Sequence, residues 1–341
     1  MTVGAASTPT LLLGVAAWTV LSLAASAVLI VRLERLGARL GVTEAALGML
    51  AALAADAPEI TSAVTALSRG QHDVGVGVVL GSNVFNLAAL LGLSAVVAGR
   101  VVFDRRVVVV DGVVGGWLAM VCLAVVIGPL SPATGLLVGS VLFVPYVVVS
   151  GMQAQARARL RIPQRVRGVL VAGVRQTERD LSRAEHDLVE VGDAHPGPTR
   201  DAVHAVVAVV VVVFASVQME HTVTDLGDRW GLSPAFVGAV VLAAITSLPN
   251  AVAAVYLARR GRGAATLSEA MNSNNINALV GFLLPATVIG VGARSVLSQT
   301  VAIWYVGLTA VSLVIAFWLR GIPRTAGLLI ILLYAVFVTR V

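Results

Sequence analysis

Apolar residues run along this chain in long blocks, and the polar positions fall mostly between them. Ten blocks reach spanning length: about 11–31, 43–68, 74–99, 107–128, 132–152, 202–219, 233–258, 264–292, 298–319 and 323–340. A helix needs about 20 apolar residues to cross the hydrocarbon core, so each block predicts one transmembrane helix. Alternation with a period of two never persists, and the blocks exceed the roughly 10 residues of a barrel strand. The expected fold is therefore all-α, a polytopic membrane protein of ten transmembrane helices without strands. The block at 11–31 follows no positive segment and is long enough to span, so it reads as a retained first helix rather than a cleaved signal peptide.

Composition narrows the function classes. The chain is 58% apolar and 12% charged with a mean hydropathy of +0.92, against about 45–50% and about 25% in soluble domains. A water-soluble enzyme is excluded. No Ser–His, Asp–Asp or zinc-ligand arrangement at membrane depth points to an intramembrane enzyme either. All 24 cationic residues are Arg, and the pI is near 10.6. In a soluble chain that would suggest nucleic acid; here the arginines lie between apolar blocks, where they set orientation, so no nucleic-acid partner is expected. If ten helices alternate across the bilayer, 20 arginines fall on one side, and Arg69, Arg229, Arg294 and Arg340 on the other. The positive-inside rule then puts the Arg-rich loops in the cytoplasm and both termini outside, in the plasma membrane. The single cysteine, Cys122, sits in an apolar run, so disulfides and Cys-based metal centres have no framework.

An internal repeat organises the chain. A shift of 191 residues superimposes Pro58 on Pro249, Arg69 and Gly70 on Arg260 and Gly261, Ser82 and Asn83 on Ser273 and Asn274, and Asn86 on Asn277. A shift of 190 places Leu36, Gly37, Gly41 and Gly48 on Leu226, Gly227, Gly231 and Gly238. The expected division is a first five-helix repeat at 1–152, a cytoplasmic linker at 153–201 and a second five-helix repeat at 202–341. The linker holds an amphipathic stretch at about 170–191 that reads either as a simple tether or as a membrane-surface helix. An odd number of spans per repeat inverts the second half relative to the first. Inverted repeats with Pro and polar interruptions at matching positions point to a secondary transporter with a midplane site at the repeat interface.

The interruptions carry the candidate chemistry. The second helix reads Ala55-Asp56-Ala57-Pro58-Glu59 at its middle, and the seventh reads Thr246-Ser247-Leu248-Pro249-Asn250. Proline removes an amide donor and clashes with the carbonyl one turn back, so each helix should kink or break there. Broken backbone at membrane depth is tolerated where it faces protein or a water-lined cavity; the alternative is a purely structural kink. The third helix carries Gly81-Ser82-Asn83-Val84-Phe85-Asn86 and the eighth Asn272-Ser273-Asn274-Asn275-Ile276-Asn277. Ser82 and Asn86, like Ser273 and Asn277, are four apart and share a helix face. Their oxygens suit hard cations such as Na⁺ or Ca²⁺, or else they bond neighbouring helices, as polar residues do in membranes.

These paired segments resemble the two α-repeats of the calcium/cation antiporter superfamily, which includes the sodium/calcium exchangers. The resemblance covers roughly residues 26–94 and 217–285. It implies α-repeat helices packed around a central site that holds Ca²⁺ and Na⁺ alternately, exchanged by alternating access, with no cofactor beyond the transported ions. The implied cation ligands are Glu59, Ser82 and Asn86 from the first repeat, and Ser247, Asn250, Ser273 and Asn277 from the second. Three positions depart from the pattern. The second-repeat carboxylate after Thr-Ser-Leu-Pro is Asn250, Asp56 stands where Ser or Thr is usual, and Asn272 replaces a glycine.

Those departures bear on the charge balance. An uncompensated charge at membrane depth is costly, so a buried Ca²⁺ site calls for about two carboxylates. Glu59 supplies one. Asp56, one helical turn earlier, and Glu269, one turn before Ser273, are the candidates for another. Should Asp56 and Glu59 lie close together, repulsion and burial would favour a proton on one of them and make it a proton carrier. Asp111 is expected to pair with Arg105 or Arg106 near the surface, Glu44 and Glu220 to be solvated or paired at helix ends, and His204 and His221 to be interfacial. The expected function is a cation antiporter exchanging Ca²⁺ for Na⁺ or H⁺, with the first and sixth helices sliding across a fixed site. The alternatives are a monovalent cation/proton exchanger that has lost Ca²⁺ selectivity and a non-transporting relative. Expected partners are small inorganic cations and the lipid bilayer.

Overall fold

The computed structural model describes residues 7–39, 52–152 and 198–341, together with Gln164 and Gly168. The linker stretch expected at 170–191, Gly41, Glu44 and Gly48 lie outside the described residues. Helix α1 runs unbroken over Thr8–Arg39. Helix α2 covers Ala57–Ser68, and α3 covers His72–Ala98 with a π-helical segment at Leu87–Leu93. A short strand β1 at Arg100–Val102 leads into α4, Arg105–Ile127, and α5, Pro132–Gly151. After the linker come α6, Pro198–Trp230, and α7, Pro234–Thr246, followed by α8, Leu248–Arg259. Helix α9, Gly263–Ile276, continues through a π-helical segment at Asn277–Leu283 into α10, Leu284–Ile289. Helix α11, Val296–Leu319, strand β2, Gly321–Pro323, and α12, Arg324–Val338, complete the described chain.

The helix starts follow from local chemistry. Asp104, Ser131, Ser233 and Ser295 each accept a hydrogen bond from a first-turn amide at the heads of α4, α5, α7 and α11, satisfying donors that a helix cannot pair internally. The repeat seen in the sequence recurs in these starts. Ala57 and Leu248, His72 and Gly263, and Arg105 and Val296 each head their helices 191 residues apart.

Helix α3 is almost wholly buried and forms the centre of the bundle. Close packing against α7 requires its glycines: a side chain on Gly81 would collide with the Ala239 backbone, and one on Gly238 would collide with the Val74 carbonyl. Small residues of this kind let membrane helices approach closely. Helices α1 and α6 lie side by side, and α6 also packs against α2. Ser22 and Ser216 share a 3.1 Å hydrogen bond between them, and buried Asp201 binds Arg32 at 2.9 Å and Arg39 at 3.2 Å. The exposed apolar side chains include Leu13, Leu137, Val206 and Ile303, as a lipid-facing surface requires.

Among the described residues six helices are long and apolar enough to cross a membrane, and the bent α7–α8 pair makes a seventh. The expected eighth span corresponds to a more polar helix and the tenth to a shorter one, and part of the expected second lies outside the described residues. The described fold is nearly all-helical, as expected, with one short strand pair that the sequence reading did not include. β1 and β2 pair antiparallel, Arg100 opposite Pro323, Val101 opposite Ile322 and Val102 opposite Gly321. Three-residue strands are too short to leave an alternating pattern, and the pairing depends on Gly321, whose missing side chain admits the Val101 carbonyl.

Candidate cation site

The two helix breaks have the same backbone geometry. Asp56 adopts φ −82°, ψ −4° and Ser247 adopts φ −84°, ψ 0°, both in the sparsely populated bridge region where many active-site residues sit. A proline follows each two residues later, Pro58 and Pro249, and neither can donate to the carbonyl one turn back. The chain bends by 50° between α7 and α8 at this point. The breaks bring Asp56, Glu59, Ser247 and Asn250 against the middles of α3 and α9, where Ser82, Asn86, Ser273 and Asn277 lie. All eight side chains are buried, none more than 1% exposed.

Their hydrogen bonds come in pairs related by the shift of 191. Asn250 Nδ2 donates to Asp56 Oδ1 at 2.7 Å, and Ser247 Oγ donates to Glu59 Oε1 at 2.7 Å. Asn86 Nδ2 donates to Ser273 Oγ at 3.0 Å, and Asn277 Nδ2 donates to Ser82 Oγ at 3.3 Å. Asn83 Nδ2 donates to the Asn274 carbonyl at 3.2 Å, and Asn274 Nδ2 returns the bond to the Asn83 carbonyl at 3.1 Å. Each pair maps onto its partner when the halves are exchanged, as a two-fold relation between them requires. Three bonds have no counterpart: Ser273 Oγ donates to Asp56 Oδ1 at 2.7 Å, Asn250 Nδ2 donates to Ser273 Oγ at 3.1 Å, and Asn86 Nδ2 donates to Asn274 Oδ1 at 3.1 Å.

Once these bonds are made, an array of acceptors is left over. Asp56 Oδ2, Glu59 Oε2, Asn86 Oδ1, Asn250 Oδ1 and Asn277 Oδ1 are all buried and accept no hydrogen bond from the protein. Buried polar atoms are ordinarily paired, and each exception calls for an explanation. Five oxygens, two of them from carboxylates, are thus left without a donor, and no Arg or His is in ion-pair contact with them among the described residues. Oxygen sets of this type suit hard cations. The π-helical segments begin at or beside Asn86 and Asn277, consistent with the frequent placement of π-bulges at functional sites.

The structure thus brings together Asp56, Glu59, Ser82, Asn86, Ser247, Asn250, Ser273 and Asn277. Glu269 stands one turn before Ser273 but is only half-buried. The Asn83–Asn274 exchange adds two residues to the expected set, both of which stand in the repeat. Glu220 is paired as expected, accepting from Arg69 Nη1 at 3.2 Å, but it is buried and lies within α6, ten residues before its end, because α6 continues to Trp230. Asp111 differs from expectation. It is 4% exposed and accepts from Tyr146 and Ser268 instead of pairing with Arg105 or Arg106. The physical reason is its position well beyond the first turn of α4, facing α5 and α9. Arg105 instead donates to the Phe317 carbonyl at 3.0 Å and stacks over the Phe317 ring.

Known proteins resemble this chain in sequence and in fold. The family described as "Sodium/calcium exchanger protein" matches residues 10–155 and 202–341. Sodium/potassium/calcium exchanger 4 of Mus musculus is 30% identical over 138 residues, 37% of this chain and 22% of that protein. Sodium/potassium/calcium exchanger 2 of Gallus gallus is 30% identical over 134 residues, 37% of this chain and 21% of that protein. The matched part spans about a fifth of the length of these curated relatives. Among solved structures, the H⁺/Ca²⁺ exchanger CAX superimposes with a TM-score of 0.70 at 14% identity, covering 96% of this chain and 81% of that one. The sodium-calcium exchanger NCX_Mj superimposes with a TM-score of 0.60 at 16% identity, covering 98% and 99%. Matched through both halves of its repeat, this polytopic membrane protein belongs to the sodium/calcium exchanger family of the calcium/cation antiporter superfamily.

Proposed function

We propose that this protein exchanges Ca²⁺ for Na⁺ or H⁺ by alternating access at the Asp56–Glu59 site. The observation that carries the reading is the set of five buried, unpartnered oxygens around two carboxylates. Ca²⁺ takes about 6–8 oxygen ligands; Asp56 Oδ2, Glu59 Oε2 and the amide oxygens of Asn86, Asn250 and Asn277 supply five, and the hydroxyls of Ser82, Ser247 and Ser273 stand beside them. Two ionised carboxylates balance one divalent ion. Without it they need Na⁺ or protons, because uncompensated charge at this depth is costly. Ca²⁺ and the driving ions therefore compete for one set of oxygens, and that competition couples their fluxes. Glu269, less buried than the eight, stays outside the proposed ligand set.

The paired hydrogen bonds support an inverted arrangement of two five-helix repeats, 1–152 and 202–341, joined by the segment 153–201, with ten spans in all. The side-by-side pair α1 and α6 is the proposed moving element, sliding across the site to open it to each face in turn. The arginine distribution supports a cytoplasmic linker and external termini in the plasma membrane. A second reading, monovalent cation/proton exchange, is favoured by the neutral Asn250 at the repeat-related counterpart of Glu59. The test is uptake of radioactive Ca²⁺ into proteoliposomes of purified protein, driven separately by outward Na⁺ and outward H⁺ gradients. Uptake under one gradient, lost in Glu59→Gln, is expected and names the coupling ion. Absence of uptake under both would move the reading to monovalent exchange or to a silent relative.

A further inference from the structure

A second buried carboxylate cluster lies beside the cation site and takes no part in it. Asp111 on α4 accepts from Ser268 Oγ of α9 at 2.5 Å through Oδ2 and meets the Tyr146 hydroxyl of α5 at 3.1 Å through Oδ1. The same Tyr146 hydroxyl reaches Asn272 Oδ1 of α9 at 2.8 Å. Asp111, Tyr146 and Ser268 are each less than a tenth exposed.

The hydrogen count of this cluster is informative. A phenol has one proton, yet Tyr146 faces two acceptors, Asp111 Oδ1 and Asn272 Oδ1. Both contacts are bonds in one of two ways. In the first, Asp111 is protonated: it donates to Tyr146, and Tyr146 donates to Asn272 Oδ1. In the second, Asp111 is ionised: Tyr146 donates to Asp111, and the Asn272 amide turns so that Nδ2 donates to Tyr146. The arrangement present, with Asn272 Oδ1 at 2.8 Å, is the one the extra proton completes. No Arg or His forms an ion pair with Asp111 among the described residues. The other titratable groups on these elements are Glu269 of α9, half-buried next to Ser268, Tyr305 of α11, and Cys122, Arg105 and Arg106 of α4 itself.

The fold does not require this cluster. The shift of 191 carries Asp111 to Ala302, Tyr146 to Phe337, Ser268 back to Gly77 and Asn272 back to Gly81. The equivalent place in the other half therefore has no polar side-chain atom at any of the four positions and is packed against Ala239 through Gly77 and Gly81. One half of a repeated scaffold has acquired a buried acid with a relay, and the other has not.

We infer that Asp111, Tyr146, Ser268 and Asn272 form a proton-binding site distinct from the cation cage, in which taking up or releasing a proton reverses the Asp111–Tyr146–Asn272 hydrogen-bond chain. Asn272 directly precedes Ser273, which donates to Asp56, so the reversal is felt at the cation site through α9. Asp111 lies six residues into α4, about 9 Å of helix rise from its start, on the side of the Arg-rich loops. The proton site stands on the cluster itself; its influence on exchange rests on the reading given above.

Infrared pH-difference spectra of the purified protein test the site without any transport assay. The C=O stretch of a protonated carboxyl is expected in the wild type, retained in an Asp56→Asn/Glu59→Gln background and lost when Asp111→Asn is added. Asp111→Asn keeps the shape of the protonated form. Should it not fold, Tyr146→Phe serves: removing the hydroxyl is expected to shift the band to higher frequency. A carboxyl band unchanged by Asp111→Asn, or by Tyr146→Phe where that variant is used, overturns the inference. Ca²⁺ uptake measured against pH on the same variants separates the two readings. Loss of the band without any uptake in wild type keeps the proton site and removes the exchanger. Uptake whose pH profile is the same in wild type and Asp111→Asn removes the coupling to the cation site.

Discussion

Asp56 and Asn250 stand at the two ends of one 2.7 Å hydrogen bond, so a charge can be moved across the site by exchanging the two residues. Asp56→Asn keeps the shape of the site and removes one of its two carboxylates. At an effective dielectric of about 20, unit charges about 4 Å apart interact by about 4 kcal/mol, and a divalent ion doubles that to about 8 kcal/mol. Relief of the burial cost of the lost carboxylate returns several kcal/mol. A net loss of about 3 kcal/mol corresponds to about 100-fold weaker Ca²⁺ binding. Adding Asn250→Asp restores a carboxylate on the other side of the same bond, with the amide of residue 56 now donating across it. The double variant is expected to bind Ca²⁺ within about 10-fold of wild type. Titration calorimetry of Ca²⁺ onto purified protein measures all three. A single variant that binds like wild type, or a double variant no better than the single, would refute the charge argument.

Other consequences are equally specific. Glu59→Gln should abolish Ca²⁺ uptake in proteoliposomes while membrane insertion and yield stay normal; retained uptake would remove Glu59 from the mechanism. Asn250→Asp alone adds a third carboxylate and should tighten divalent binding by calorimetry, and unchanged affinity would show that Asn250 does not face the ion. Removing both Arg32 and Arg39 leaves Asp201, whose side chain is 0% exposed, without its cations. That is expected to cost about 3–5 kcal/mol, read as a lower Tm in detergent, with each single change costing less because the other arginine remains. Gly81→Leu should prevent α3 from seating against Ala239 and show up as lost monodisperse protein on size-exclusion chromatography.

Much of the site was legible in the sequence because two residue patterns recur at a fixed shift. Identity at Pro58/Pro249, Ser82/Ser273 and Asn86/Asn277 points to the elements that meet, and proline chemistry says where they break. The hydrogen-bond pairing could not be read the same way: whether Asp56 or Glu59 meets Asn250 depends on how two broken helices face each other. Asp111 departs from the sequence expectation because nearness in sequence to Arg105 and Arg106 says nothing about which face of α4 it occupies. Tyr146 and Ser268 lie on separate helices and leave no joint pattern, so the cluster they form with Asp111 becomes visible only in three dimensions. The strand pair Arg100–Val102 and Gly321–Pro323 is hidden for a similar reason, being too brief for alternation and depending on one glycine. The ten apolar blocks follow from hydropathy, and α9, rich in Asn and Ser, is the least apolar of the site helices.

In the proposed function, the unpartnered oxygens around Asp56 and Glu59 hold the transported cation. The most direct measurement is anomalous scattering from crystals of the protein soaked in Sr²⁺ as a stand-in for Ca²⁺. A peak within coordination distance of Asp56 Oδ2 and Glu59 Oε2, weakened by added Na⁺ or by acid, is the predicted result. A strong peak elsewhere in the bundle, with none between these two carboxylates, would contradict the account.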